Sequence, residues 1–141
     1  MARPQRECQL VKELEKLAAG VSPAIEEAAR RRSSMMKGRE VLKRAGLLSA
    51  TPFWVSGRYM YLRHVAKPGK KRRTSYVGSD EAKCTEALEQ IKRYRQDKEL
   101  EQAIKNMDLS LESARRALEL FYAALVFEEK EENVCTERGT L

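Results

Sequence analysis

Apolar positions at Leu10, Val11, Leu14, Leu17 and Ala18 recur at three- and four-residue spacing, which predicts a helix over 5–19 with one buried stripe. Gly20 supplies its stop. Ser22-Pro23 then reads as an N-cap followed by a proline in the first helical position. A second helix is expected over 22–45, where Ile25, Ala28, Ala29, Met35, Met36 and Leu42 form a patchy apolar face and Gly46 ends it. Gly38 weakens that helix and leaves room for a break.

The period changes after Thr51-Pro52. From Arg58 to Val65 the chain alternates, with Tyr59, Tyr61, Arg63 and Val65 on one side and Met60, Leu62 and His64 on the other. Pro68-Gly69 suits the centre of a type II turn. Lys71 to Val77 returns as a second strand and Gly78 ends it, so 53–78 is expected to hold a β-hairpin with a basic tip.

Helical spacing resumes beyond Gly78. Ser79 is the expected cap, and Asp80 and Glu81 suit the positive end of a helix. No proline or glycine follows until Gly139. Cys84, Leu88, Ile91, Arg95, Leu100, Ile104 and Met107 give a broken stripe. Leu111, Ala114, Leu118, Phe121 and Leu125 repeat at 3-4-3-4 spacing, a short heptad-like seam. The region 80–131 is one long helix or two. A break near Asn106-Met107-Asp108 is favoured, because a helical hairpin would bury the seam. Residues 134–141 are expected to fray. The reading is an α+β fold, mainly α, in a single domain over 1–133.

Charge sharpens this outline. The 141 residues carry 28 Lys and Arg against 21 Asp and Glu, a net +7. Residues 30–76 hold fourteen basic residues and one acid, Glu40, for +13, which leaves −6 elsewhere. Five of the nine aromatic residues fall in 53–77. One basic, aromatic surface on an otherwise acidic chain points to a polyanion or an acidic protein as partner. A solvated face paired with the acidic helices is the alternative. No apolar run approaches the roughly 20 residues of a membrane span. Met1 to Leu10 lacks the apolar core of a secretion signal. Cys8, Cys84 and Cys135 are odd in number and far apart, as expected in a reducing bacterial cytoplasm.

Chemistry for catalysis is sparse, and no enzyme activity is expected. The sole histidine, His64, sits mid-strand without an acidic neighbour, and reads as a structural or surface residue. The cysteines lack metal-ligand spacing, and no phosphate-binding glycine loop or nucleophile elbow occurs. No cofactor or metal is expected. The candidate binding residues are Arg58, Tyr59, Tyr61, Arg63, Lys67, Lys70, Lys71, Arg72, Arg73 and Tyr76 of the hairpin, with Arg31 and Arg39 of the preceding helix. A two-stranded ribbon fits a DNA major groove, its tip cations neutralise phosphates, and tyrosines stack on bases. Packing of these tyrosines on the helices, with a merely solubilising tip, is the competing explanation. Consecutive Arg30, Arg31 and Arg32 splay over about 200° of a helix, so they cannot all face one groove. Lys70 to Arg73 also has the look of a nuclear-localisation run.

Val55-Ser56-Gly57-Arg58-Tyr59-Met60-Tyr61-Leu62-Arg63, then Gly69-Lys70-Lys71-Arg72-Arg73-Thr74-Ser75-Tyr76-Val77, then a charged helix through Ile91-Lys92-Arg93-Tyr94-Arg95, resembles a small domain family of bacterial mobile elements. That family joins an N-terminal helix, a tyrosine-containing hairpin and a long helix. The likeness covers about 55–107, and the cysteine-rich approach to the hairpin is missing. The same rhythm is similar to the arm-binding domains of phage integrases, which touch DNA through strands, although no integrase catalytic portion is present. Both resemblances imply a phage, plasmid or transposon origin. They imply a protein that binds DNA or RNA, or a host nucleoprotein complex. An anti-CRISPR inhibitor docked on protein subunits of a CRISPR-Cas effector is the second reading. A helical homo-oligomer built on Leu111, Leu118, Phe121 and Leu125 is the third.

Overall fold

The computed structural model describes the backbone of residues 2–139 and the side chains of residues 9–126. The element order is α1 (Ala2–Ala45), β1 (Ala50–Val55), β2 (Tyr59–His64), β3 (Thr74–Gly78) and α2 (Glu81–Gly139). This is the mainly helical α+β class the sequence predicts. The chain divides into two compact units, Met1–Ile104 and Lys105–Leu141.

The helix boundaries differ from expectation in two places. α1 is continuous through Gly20 and Pro23, where a stop and a restart were expected. Pro23 lacks the N–H that would bond the Ala19 carbonyl, but residues on both sides favour helix and propagation is cooperative. α2 also continues through Asn106, Met107 and Asp108 without the favoured break. Ser110 there turns its hydroxyl back to the Asn106 carbonyl at 3.1 Å rather than capping a new helix. The backbone of α2 runs to Gly139, and Thr140 and Leu141 lie outside the described residues.

The predicted hairpin is two strands of a three-stranded antiparallel sheet in the order β1-β2-β3. Pro52 disguises β1, since proline weakens a strand reading, but β1 is an edge strand that tolerates it. Arg58 N–H donates to the Val55 carbonyl at 3.2 Å across Ser56 and Gly57, both at positive φ, as a type I′ turn requires. The predicted Pro68-Gly69 turn forms: Lys70 N–H donates to the Lys67 carbonyl at 3.0 Å, and Gly69 has the positive φ of a type II turn. Lys71, Arg72 and Arg73 belong to the connection, because β3 begins only at Thr74.

The core lies against one face of this sheet. Met60 and Leu62 of β2 meet Cys84, Ala87 and Ile91 of α2, with Leu48, Ala50 and Val77 packed around them. The expected alternation of β2 is therefore the true one. On the stretch of α2 against the sheet the buried positions are Cys84, Ala87 and Ile91, whereas Leu88 is exposed. Ala87 follows Cys84 by three residues and precedes Ile91 by four, so a small residue holds the inward position and the larger leucine faces out. The helix start also shifts by one residue. Asp80, not Ser79, is the cap, its Oδ1 accepting from Ala82 N–H at 3.2 Å.

Side-chain contacts join α1 to the first part of α2. Arg39 Nε donates to Asp97 Oδ1 at 2.9 Å, and Asp97 is buried. Beside it, a Cβ placed on Gly38 would lie 3.4 Å from Leu100 Cδ1. The glycine read as a weak point thus lies against a side chain of the second helix.

Candidate nucleic-acid interface

A strand residue and its cross-strand partner share a face. The register pairs Phe53 with Tyr61, Tyr61 with Tyr76, and Arg63 with both Thr51 and Thr74. These residues occupy the sheet face opposite Met60 and Leu62. Their rings form a continuous row. Phe53 and Tyr61 stack with centroids 5.5 Å apart and planes 18° apart. Tyr61 and Tyr76 follow at 5.0 Å, tilted by 53°. The Arg63 guanidinium lies over the Phe53 ring at 5.1 Å, where the ring quadrupole attracts it. Tyr76 is 59% exposed, so the row is open to a ligand at β3.

The predicted cations stand at both ends of β2. Arg58 lies in the β1–β2 turn, and Lys67, Lys70, Lys71, Arg72 and Arg73 lie in the exposed β2–β3 connection. Six strand residues separate the two groups, about 20 Å at the rise of an extended chain. From Val41 to Ser79 the sequence contains no acidic residue, so no carboxylate within this segment offsets the charge. The face thus combines stacking surface along its middle with cations at its ends. Phe53 is the member that sequence reasoning missed. Its signal was the two-residue spacing of Thr51, Phe53 and Val55, masked by Pro52.

Two predicted residues fall outside this surface. Arg39 is a correction: it is committed to Asp97 and to Glu101, whose Oε2 lies 3.5 Å from Nη2. The hydrogen bond to Asp97 holds its guanidinium further above the ordinary arginine value. Arg31 lies on the exposed side of α1, paired with Glu27 at 3.2 Å. Glu27 also holds Arg30 at 3.0 Å, so an acid three positions before the arginine run tempers it.

His64 lies on the core side at the end of β2, with Nε2 2.7 Å from the Ser75 hydroxyl. Cys84 is buried, with Sγ donating to the Gly78 carbonyl at 3.5 Å, while Cys8 and Cys135 lie outside the described side chains. Among the described residues, no group of three or more His, Cys, Asp and Glu could hold a metal ion. No described helix is long and apolar enough to cross a membrane. The 111–125 seam belongs to the second unit, where Leu118, Phe121 and Leu125 are exposed.

Comparison of the chain with family models, with curated proteins and with solved structures finds no match.

Proposed function

We propose that this protein binds nucleic acid without catalysis, laying the Phe53-Tyr61-Tyr76 face of its sheet against duplex DNA. The observation that carries the reading is this row of rings with Arg63 over it and five cations in the adjoining connection. A sheet that presents its face can enter a major groove, and cations at its ends then reach the flanking phosphates. Arg58 and the 65–73 connection are the phosphate contacts. Arg63, Tyr61 and Tyr76 are the groups that reach sugar and base edges. The resemblance to mobile-element and integrase arm-binding domains supports the same use of strands, and a phage or plasmid protein would do this work in the bacterial cytoplasm.

A mobility-shift titration of the full chain tests the reading, with random duplex DNA and RNA at low and at physiological salt. The expected result is a shifted duplex DNA band whose affinity falls steeply as salt rises, since each neutralised phosphate releases counterions. Absence of any shift at low salt overturns the reading. Preference for RNA replaces duplex DNA with RNA as the ligand.

A further inference from the structure

The β2–β3 connection does more than display charge: it borders a half-open cavity. The cavity has a volume of about 890 Å³ and lies at the end of the sheet, on the side of His64 and Ser75. Lys67, Lys70, Lys71 and Arg73 line it, together with Ser49 at the approach to β1. No acidic residue is among its lining groups. Four cations gathered around one hollow repel each other unless an anion enters. The connection is nevertheless ordered around them by two backbone bonds, Lys70 N–H to the Lys67 carbonyl at 3.0 Å and His64 N–H to the Arg73 carbonyl at 2.9 Å.

We infer that this cavity is a binding site for the phosphate of a nucleotide. The Lys67, Lys70, Lys71 and Arg73 side chains supply charge-assisted donors, which suit phosphate oxygens. Ser49 and Ser75 add hydroxyl donors. His64 fixes the Ser75 hydroxyl through its hydrogen bond and so orients it at the rim of the hollow. The volume falls within the several hundred Å³ usual for small-molecule sites, far more than a bare phosphate fills. Val65, Ala66 and Pro68 give the remainder an apolar wall, which suits a sugar or base. The phosphate comes from a nucleic-acid strand or from a free mononucleotide, and the chemistry of recognition is shared. For the strand source the inference rests on the proposed function, since the connection's cations serve both.

Because His64 is the only histidine, selective isotope labelling gives one imidazole signal at the cavity. The full chain is titrated at constant ionic strength with inorganic phosphate, with adenosine monophosphate, with a short duplex and with chloride. Saturable movement of the His64 signal with phosphate and with the mononucleotide is expected, with no saturation for chloride. The exposed double variant Lys70→Ala/Lys71→Ala should weaken the mononucleotide response about tenfold, the scale of losing close charge partners at a binding site. Equal movement by chloride, or phosphate movement that never saturates, overturns the inference. A His64 response to phosphate without any duplex binding would leave the cavity site standing and remove the sheet-face reading. Duplex binding with a silent His64 would remove the cavity site alone.

Discussion

Arg39 and Asp97 stand 58 residues apart in sequence and 2.9 Å apart in space, and their ion pair pins α1 to α2. The partners are unequal. Asp97 is 3% exposed, whereas the Arg39 side chain keeps about a fifth of its surface in solvent. Removing Arg39 therefore strands a buried carboxylate, while removing Asp97 leaves an arginine still in reach of Glu101 and water. Arg39→Ala should lower the melting temperature by several degrees, and Asp97→Ala by less. Neither should change the salt dependence of DNA binding. A thermal melt beside a salt titration checks both statements, and a flattened salt slope in Arg39→Ala would return that residue to the interface.

Gly38 offers a test of the same helix contact. Adding one carbon meets Leu100 Cδ1 at 3.4 Å, an ordinary contact distance, and removes a flexible residue from a helix interior. Gly38→Ala should raise stability by about 0.5–1 kcal/mol. Gly38→Leu should lower it, because the larger side chain has Leu100 in its way. Denaturant midpoints of the two variants would show opposite signs.

Adjacent residues of β2 should fail in different assays. Met60 is fully buried, so Met60→Ala should cost about 2–5 kcal/mol of stability. Tyr61→Ala loses two ring contacts, and its main effect should be a loss of DNA affinity rather than of stability. Chemical denaturation separates the first effect and a mobility shift the second.

Replacing Lys70, Lys71, Arg72 and Arg73 with alanine should flatten the plot of log affinity against log salt by about two to four units, close to one for each lost phosphate contact. The thermal melt should scarcely move, since all four side chains are exposed.

The second unit carries its own pH dependence. Hydrogen bonding to Arg115 holds the Glu112 carboxyl below its ordinary value of 4.5. A carboxylate lowered on folding stabilises above its unfolded value, and that contribution disappears as pH falls through the lowered folded value. Protection of the amides around 112–119, measured against the intrinsic exchange rate at each pH, should therefore fall as pH drops through that lowered value. Glu112→Gln should exchange faster at neutral pH and respond less to acid.

The sequence was most legible where local geometry decides the structure. The alternation of Tyr59 to His64 set the two faces of β2 correctly, and Pro68-Gly69 marked its turn. β1 escaped because whether a proline is tolerated depends on which strands are neighbours, and only the folded sheet decides that. Gly20 and Pro23 misled for a related reason: they weaken a helix locally, but helix formation is settled cooperatively over many residues. Arg39 had no local signal at all. Its basic neighbours resemble interface residues, and only the approach of α2 supplies Asp97. The cavity beside His64 was equally hidden, since Ser49 and Ser75 reach it from different parts of the chain.

β2 is hydrogen-bonded on both sides, and its six residues turn alternately to the core and to the face proposed for the ligand. Specificity and stability are thus written in the same short word on alternate letters. Substitutions at Tyr59, Tyr61 and Arg63 can retune recognition while Met60 and Leu62 keep the fold. A single-residue insertion within β2 would turn methionine and leucine to solvent and bury an arginine. The connection at 65–73 has no such parity to keep. Natural or engineered diversification should therefore proceed by exchange along β2 and by changes of length only in the connection that follows it.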